Sequence, residues 1–462
     1  MNAEKPANPF LLTLLTVTFL GVIAFIKPDL MIGGQLLRPV NLLSDVLRPP
    51  GPRHLPGPNS LPVRHPPSPA ADSAARMGLA SFLRALRQTK ATGQKTRIAY
   101  FGDSMIEGDL ITGDLRQALQ LAFGGEGVGF VPITSITADF RTTIYQSFAD
   151  NWRKYDLLSP SLPARYPLGL SGHVFVAPAV RPGPDSGAAP GAAWVELTAG
   201  RPYPTVRQLT HARLLYGPGD ARDQVAVRFG PHQTMAALTG SDLLNELALT
   251  APPVARKLRL AFNCRAPRSI YGVSIESEQG ITLDNFSFRG SSGLSLRRIS
   301  PAMLAAFDQR QHYDLLILHY GVNVVDAHVK NYSNYTRALG RVIDRLQAAC
   351  PQASVLLIGM SDKGYRTQGE FITDPGVPLL LAAQQQLAAR KHVAFWNLFA
   401  AMGGVNTMLR WVEATPPLAN RDYTHVTARG GHQIANMLQQ FLMQQYRLAA
   451  TPPTARLAAK VN

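Results

Sequence analysis

Short apolar runs alternate with helical periodicity at both ends of the main body of the chain. In the helical stretches apolar residues recur every three or four positions, as at Leu339, Ile343 and Leu346. Strands that alternate with amphipathic helices favour a mostly parallel sheet. The pattern therefore predicts an α/β domain with strands at Ile98–Phe101, Leu315–Leu318, Val355–Ile358 and Val393–Phe395.

A different pattern occupies the middle of the chain, from about Asp139 to Glu278. Apolar and polar residues alternate there with a period of two, as in Val225–Phe229 and Leu258–Phe262, and the runs are separated by Gly and Pro. Short alternating runs with frequent turns are typical of half-buried antiparallel strands. We expect residues 139–278 to form an antiparallel β-sandwich inserted into the α/β domain.

The N-terminus contains an apolar run without charge from Pro9 to Ile26, between Lys5 and Lys27. Its length is near the lower limit for a membrane span and long for a signal-peptide core. We interpret residues 1–8 as a short leading segment and 9–27 as a signal anchor, that is, a transmembrane helix; a cleaved signal peptide is the alternative. The flanking charges nearly balance, so they leave the orientation open.

Residues 28–75 are predicted to form a stalk because proline dominates the second half of this range. The runs Pro-Pro-Gly-Pro, Leu-Pro-Gly-Pro and His-Pro-Pro-Ser-Pro favour extended, semi-rigid backbone. A proline-rich partner-binding motif is the alternative. The α/β domain is then split into residues 76–138 and 279–450, and residues 451–462 form a basic tail.

The chain carries three residues that together suit nucleophilic catalysis. Ser104 follows an apolar strand and a glycine turn, and we expect it near a helix N-terminus, where backbone N–H groups stabilise an oxyanion. Asp422 precedes His425 by three positions, just before a helix that begins near Ala428. A carboxylate so placed can hold the imidazole while its other nitrogen deprotonates a serine. Taken alone, Asp103-Ser104 is also an ordinary helix-capping pair.

Two further glycine turns can supply hydrogen-bond donors to the same site. Asn323 ends an apolar strand, where open α/β sheets bind ligands, so its amide can donate to an oxyanion. Gly293 lies in the turn from Arg289 to Gly293 and can donate a backbone N–H, although a plain turn explains that segment equally well.

The order of these motifs resembles the four sequence blocks of the SGNH, or GDSL-type, hydrolases. The blocks are Gly102-Asp103-Ser104, the turn at Gly293, Gly321-Val322-Asn323 and Asp422-Tyr423-Thr424-His425. The resemblance implies a three-layer α/β fold, Ser104 as nucleophile, Asp422 and His425 as the rest of the triad, and an oxyanion hole from Ser104, Gly293 and Asn323. Met105 and Val324 depart from the usual pattern, at positions that are not catalytic in the family.

Within that family the chain is most similar to bacterial cell-envelope members that remove or transfer O-acetyl groups. The similarity covers roughly residues 76–450 and rests on Gly124–Pro132, Met402-Gly403-Gly404, Trp411 and the long insert. It implies an acetylated, peptidoglycan-like glycan as substrate and a catalytic part in the periplasm. The insert would resemble a carbohydrate-binding module, or it would only support the rim of the active site.

Charge and cysteine content narrow the function further. The net charge of +16 indicates either attraction to an acidic envelope surface or a solvated basic face without a partner. Neither zinc-finger nor RNA-binding motifs accompany this charge, so we do not expect the protein to bind nucleic acid. The two cysteines, Cys264 and Cys350, support neither a zinc site nor a disulfide framework, although one bridge between them stays possible. The expected chemistry needs no metal and no cofactor. The histidines that lack the spacing of metal ligands are His312, His319, His328, His392 and His432.

Three functions remain open on the sequence. A serine esterase that removes O-acetyl groups through an acetyl-serine is the first, and an O-acetyltransferase with the same triad is the second. The anchor suits the transferase, because a membrane acyltransferase partner could then supply its acetyl groups. An inactive glycan-binding protein of the same fold is the third.

Overall fold

A computed structural model describes residues 31–32, 35–36, 69–180, 189–209, 211–250, 252 and 254–450. The chain divides into two units, residues 1–61 and 62–462. In the first unit the described residues form a two-stranded antiparallel pair, β1 (Met31–Ile32) and β2 (Gln35–Leu36). The predicted anchor over 9–27 and the basic tail over 451–462 lie outside the described residues. Of the helices in the described ranges, none combines the length and apolarity needed to cross a membrane.

The first described element of the second unit is a helix inside the segment predicted as stalk. Helix α1 starts at Pro69, although the stalk was expected to continue to residue 75. The reason is that proline fits the first turn of a helix, and alanine-rich sequence follows it. The elements up to the insert are α1 (Pro69–Gly78), α2 (Ala80–Thr92), β3 (Thr96–Gly102), a 3₁₀ helix (Ser104–Asp109) and α3 (Thr112–Phe123).

The middle of the chain forms two antiparallel sheets that face each other across an apolar core. The first sheet has the order β11-β10-β13-β8-β5 and the second β12-β9-β14-β7-β6, with β4 also paired to β14. Strand β4 precedes residue 139, so the sandwich recruits a strand from the segment assigned to the α/β domain. The strands are β4 (Gly129–Val131), β5 (Ile144–Phe148), β6 (Arg153–Asp156), β7 (His173–Ala177), β8 (Ala193–Ala199), β9 (His211–Tyr216), β10 (Asp220–Phe229), β11 (His232–Leu238), β12 (Asn245–Thr250), β13 (Lys257–Asn263) and β14 (Arg268–Ile275). A short 3₁₀ turn covers Pro204–Val206.

The α/β domain resumes after the sandwich. Its elements are β15 (Ile281–Ser287), a 3₁₀ helix (Leu294–Arg298), α4 (Pro301–Gln311), β16 (Leu315–His319), α5 (Ser333–Ala349), β17 (Ser354–Ile358), β18 (Gly364–Thr367), β19 (Glu370–Thr373), α6 (Gly376–Lys391), β20 (Ala394–Trp396), α7 (Leu398–Met402), α8 (Thr407–Glu413) and α9 (Ala428–Ala450). The four predicted strands correspond to β3, β16, β17 and β20, and β15 is a fifth strand that the sequence did not reveal.

The five strands form one parallel sheet in the order β15-β3-β16-β17-β20. Alternate residues of β3 enter different cores: Ile98 and Tyr100 pack with α2, α3 and α9, whereas Ala99 and Phe101 pack with α4 and α5. A strand that is buried on both faces loses the alternation of a surface strand, which explains its continuous apolar run. The predicted α/β domain with a parallel sheet is confirmed, and it has three layers.

Ser104 lies at the N-terminus of a helix, as expected, but this helix is a short 3₁₀ helix separate from α3. It is interrupted where Gly108 and Asp109 adopt positive φ values of 60° and 65°. Glycine tolerates this backbone without strain, and aspartate does so better than most residues. The break turns the Asp109 side chain inward.

The Asp109 carboxylate is the centre of a buried polar cluster. Its side chain is 0 % exposed and forms ion pairs with Arg116 and Arg141. Burial alone would raise the pKa of Asp109, but the two guanidinium groups hold it well below its usual range. The other donors to this carboxylate are the hydroxyls of Thr112 and Thr143 and the amide of Asn285.

Replacing Asp109 by asparagine should destabilise the whole unit. Asp109→Asn leaves two buried guanidinium groups without a counter-charge, and breaking a buried pair costs about 3–5 kcal/mol. The free energy of unfolding, from urea titration followed by circular dichroism, measures the loss. The matched control is Asp344→Asn, whose side chain is 52 % exposed in a surface pair with Lys391; it should change stability by less than about 0.5 kcal/mol. Equal effects of the two variants would contradict the role of Asp109.

Candidate active site

Three neighbouring strands bring the candidate residues to one edge of the sheet. The strands β15, β3 and β16 end in register, with Ser287 and His319 both opposite Gly102. The loops that follow them carry Gly293, Ser104 and Asn323, so residues distant in sequence meet at the carboxyl ends of parallel strands, the edge where open α/β sheets bind ligands.

Ser104, His425 and Asp422 form a hydrogen-bonded relay. The Ser104 Oγ lies 2.8 Å from His425 Nε2, and His425 Nδ1 lies 2.7 Å from Asp422 Oδ2. Since a carboxylate only accepts, Nδ1 carries the proton, and Nε2 accepts from the serine hydroxyl. The structure thus brings together the three residues singled out in the sequence, although Ser104 and His425 lie 321 positions apart.

The loop of Asp422 and His425 is held by its own backbone and by a hairpin. Asp422 Oδ1 accepts the backbone N–H groups of Thr424 and His425, both at 2.9 Å. Outside the loop, the ring of Phe371 on β19 stacks on Tyr423 with 3.7 Å between centroids. The hairpin of β18 and β19 therefore orients the loop of Asp422 and His425. The periodicity of the sequence does not predict this contact.

The acid–histidine pair is open to solvent. The side chain of His425 is 37 % exposed and that of Asp422 is 48 % exposed. Partial burial alone would raise the pKa of Asp422, but the hydrogen bonds from His425 and Thr424 lower it overall. Asp422 is therefore ionised at neutral pH and suited to hold an imidazolium.

The two other expected oxyanion donors are engaged in local contacts. The backbone N–H of Gly293 donates to Ser291 Oγ at 3.0 Å, and the Asn323 amide donates to the Ser291 carbonyl at 3.1 Å. Gly293 has a φ of +84°, and a Cβ there would approach the Tyr320 ring to 2.8 Å, so only glycine fits. The Gly293 N–H must leave Ser291 Oγ to bind an oxyanion, whereas the Asn323 amide carries a second N–H besides the one that donates to Ser291.

Asp103, next to the nucleophile, is buried and supports the turn that presents it. Its Oδ1 accepts the Met105 N–H at 3.0 Å, which caps the 3₁₀ helix. Burial raises the pKa of Asp103 to about 7, although Met105, His425, Asn323 and Gly321 favour the charged form. The sequence suggested this capping role but not the burial.

Metal-ligating side chains are dispersed over the described parts of the chain. Among those residues, no group of three or more His, Cys, Asp or Glu side chains is arranged to hold a metal ion. Cys264 and Cys350 are both free and buried, in the sandwich core and the α/β core respectively, so they do not pair. The side chains that the site brings together are those of acyl transfer.

The fold is similar to that of solved carbohydrate esterases, and the order of the motifs resembles the SGNH sequence blocks. A solved structure of a peptidoglycan O-acetylesterase superposes with a TM-score of 0.63 at 21% identity, over 79% of this chain and 96% of that one. A family two carbohydrate esterase from Cellvibrio japonicus has a TM-score of 0.26 at 9% identity, over 65% and 99% of the two chains. An acetyl xylan esterase has a TM-score of 0.26 at 16% identity, over 35% and 80%. No family model and no curated protein sequence matches the chain.

The raised pKa of Asp103 should appear as a pH-dependent stability. An aspartate has a pKa near 3.9 in an unfolded chain, so between about pH 4 and pH 7 the folded state binds the extra proton. The stabilisation is complete below pH 4 and is lost as the pH rises through 7, with a slope of up to about 1.4 kcal/mol per pH unit. Asp103→Asn keeps a capping oxygen and removes the titrating group. As the pH rises, the unfolding free energy of the wild type should therefore fall relative to that of the variant. A difference that stays constant from pH 4 to pH 8 would refute this.

Proposed function

We propose that the protein is a serine esterase that removes O-acetyl groups from a cell-envelope carbohydrate similar to peptidoglycan. The observation that carries the proposal is the continuous relay from Ser104 through His425 to Asp422 at the end of the parallel sheet. The overall likeness to a solved peptidoglycan O-acetylesterase supports the choice of an acetylated glycan. No cofactor is required.

The mechanism follows from the direction of these hydrogen bonds. His425 Nε2 takes the proton of the Ser104 hydroxyl, Oγ bonds to the ester carbonyl carbon, and Asp422 stabilises the imidazolium. Collapse of the tetrahedral intermediate breaks the ester C–O bond, and His425 returns the proton to the departing sugar oxygen. Water, deprotonated by His425, then attacks the acetyl-serine; the bond from the carbonyl carbon to Oγ breaks, His425 returns the proton to Ser104 Oγ, and acetate is released.

Exposure of the site favours water as the acceptor. A transferase must exclude water until an acceptor hydroxyl arrives. Here more than a third of the His425 side chain faces solvent. We therefore rank hydrolysis above transfer. Transfer with a membrane acyltransferase partner is the alternative, and an inactive glycan-binding protein is the third reading.

The compartment belongs to the same proposal. We place the catalytic part in the periplasm of a bacterial cell, anchored through residues 9–27, because an envelope glycan would be reached there. The support is the uncharged apolar run from Pro9 to Ile26 in the sequence.

The esterase proposal predicts turnover that depends on Ser104. The purified full chain should release p-nitrophenol from p-nitrophenyl acetate and acetate from O-acetylated peptidoglycan. Ser104→Ala should lower kcat by several orders of magnitude, as loss of a triad nucleophile does. The control is Ser333→Ala on α5, at an exposed serine outside the site.

The outcomes separate the three functions. Equal rates for wild type and Ser104→Ala would refute acyl-serine chemistry and favour a binding protein. The transferase would be favoured if acetate release depends on Ser104 and decreases while an acceptor sugar becomes acetylated.

Asn323 is predicted to act in the transition state. Removing a true oxyanion donor costs about 2.7–4 kcal/mol, or about 10²–10³ in kcat. We expect that loss for Asn323→Ala with p-nitrophenyl acetate, at little change in KM. Asn151→Ala, at an exposed asparagine of the insert, provides the control. A folded Asn323→Ala enzyme with near-normal kcat would remove Asn323 from the oxyanion hole.

A further inference from the structure

The turn from Phe288 to Gly293 follows β15 and carries one of the expected oxyanion donors. The Phe288 N–H donates to the Gly102 carbonyl at 2.9 Å, and the Ser291 N–H donates to the Phe288 carbonyl at 3.1 Å. Between these bonds Gly290 has a φ of +74°, and a Cβ there would meet no atom beyond its chain neighbours within 4 Å. The tip of the turn therefore has open space around it, and its position depends on the contacts of its side chains.

Arg289, at this tip, forms a two-pronged ion pair with Glu107. Its Nε donates to Oε1 at 3.1 Å and its Nη2 donates to Oε2 at 2.6 Å. A bidentate pair of this kind fixes direction as well as distance. The Arg289 side chain is 60 % exposed, whereas that of Glu107 is 6 % exposed. Arg289 therefore reaches from the surface to a carboxylate that is almost excluded from water.

Glu107 belongs to the 3₁₀ helix whose first residue is Ser104. It leaves helical geometry, with a φ of −59° and a ψ of 146°, directly before the break at Gly108. The helix has an anchor of its own at this point, because the Asn285 amide on β15 donates to the Ile106 carbonyl at 2.8 Å. The carboxylate is thus attached to a fixed segment, close in sequence to the nucleophile.

The other side of the turn is held by segments that follow β16. The Tyr335 hydroxyl on α5 donates to the Ser292 carbonyl at 3.0 Å, and the Asn323 amide donates to the Ser291 carbonyl at 3.1 Å. These contacts fix the turn relative to Asn323. The contact with Glu107 reaches the helix that begins at the nucleophile, so the ion pair sets the spacing between that helix and the turn.

This spacing matters because the two segments carry two backbone donors, the N–H groups of Ser104 and Gly293. An oxyanion hole works when its donors converge to about 2.7–3.1 Å from the oxyanion. A misplacement of about 1 Å is enough to lower a rate by about 10²-fold. A contact that fixes the separation of the donors therefore affects the chemical step, even when it lies outside the relay.

We propose that the Arg289–Glu107 ion pair is a positioning device of the oxyanion hole: it holds the turn that carries Gly293 at a fixed distance from the helix that begins at Ser104. The inference rests on the proposed function, because an oxyanion forms only if Ser104 attacks an ester. The two residues act through the backbone donors, so they are positioning residues.

Three variants separate positioning from stability. Arg289→Ala removes both hydrogen bonds and leaves Glu107 as a buried charge without this partner. Arg289→Ala combined with Glu107→Gln removes the charge as well, so the fold loses less stability. Arg289→Lys keeps the charge but not the two-pronged geometry.

The matched control is Arg222→Ala in the sandwich. Arg222 is 66 % exposed and forms a similar two-pronged pair with Asp220, at 2.9 and 2.8 Å. Both residues lie on β10, away from the segments that carry the oxyanion donors. The control therefore removes the same type of surface interaction without affecting the site.

Each full-length variant is assayed with p-nitrophenyl acetate and with phenylboronic acid, whose tetrahedral adduct with a serine places an oxygen where the oxyanion forms. We expect Arg289→Ala to lower kcat about tenfold and to raise the Ki of the boronic acid by a similar factor, because a donor is displaced but not removed. The KM should stay within twofold of wild type. The double variant should show the same losses, Arg289→Lys smaller ones, and Arg222→Ala none.

The failures are distinguishable. A kcat within twofold of wild type in Arg289→Ala, or a lost kcat that the double variant regains, overturns the positioning role while Ser104-dependent turnover leaves the esterase standing. A lower kcat at an unchanged Ki overturns it too, because the loss then arises outside the oxyanion hole. A raised KM at unchanged kcat would make Arg289 a substrate contact instead. Wild-type turnover that Ser104→Ala does not reduce overturns the esterase and the positioning role together.

Discussion

The buried carboxylate of Asp109 ties together the parts on which the active site depends. It ends the 3₁₀ helix that starts at Ser104, and it accepts from Arg116 on α3 and from Asn285 on β15. It also pairs with Arg141, at the start of the insert. A buried carboxylate lowers the stability of the fold unless it is fully paired. The segments that carry its partners must therefore keep one relative arrangement.

A second buried cluster holds the other end of the insert. Glu276, just after β14, pairs with Arg97 on β3 and with Arg213 on β9. Burial alone would raise the pKa of Glu276, but these cations and Lys95 lower it overall. Arg97 also pairs with Asp284 on β15. Both chain crossings between the sandwich and the parallel sheet are thus fixed by buried ion pairs. Beside them, Val174 and Tyr271 of the sandwich share a hydrophobic core with Phe307 of the α/β domain.

The sequence predicts those features of the site that are local. A strand followed by a glycine turn identifies Ser104 and Asn323, and a carboxylate three positions before a histidine identifies the Asp422–His425 pair. Each of these patterns occupies only a few neighbouring residues. The parallel sheet follows for the same reason, because each strand and helix carries its own periodicity. Once the strands are known to be parallel, their carboxyl ends must meet.

What the sequence did not reveal depends on contacts between distant segments. Strand β15 contains Asp284 and Asn285, two residue types that are depleted in strands. In the structure Arg97 pairs with Asp284, and the Asn285 amide donates to Asp109. The stack of Phe371 on Tyr423 links segments that share no pattern. The break at Gly108 and Asp109 agrees with the low helix propensity of both residues, but the buried partners that hold the Asp109 side chain come from distant segments.

Net charge illustrates the same limit for function. The value of +16 suggests an acidic ligand, yet several cations near the site are paired with carboxylates: Arg116 and Arg141 share Asp109, and Arg289 pairs with Glu107. Surface charge acts over distances near the Debye length and governs approach to a charged surface, whereas a binding site is selected by the atoms within hydrogen-bond reach. A basic exterior therefore does not by itself require an acidic ligand at the active site.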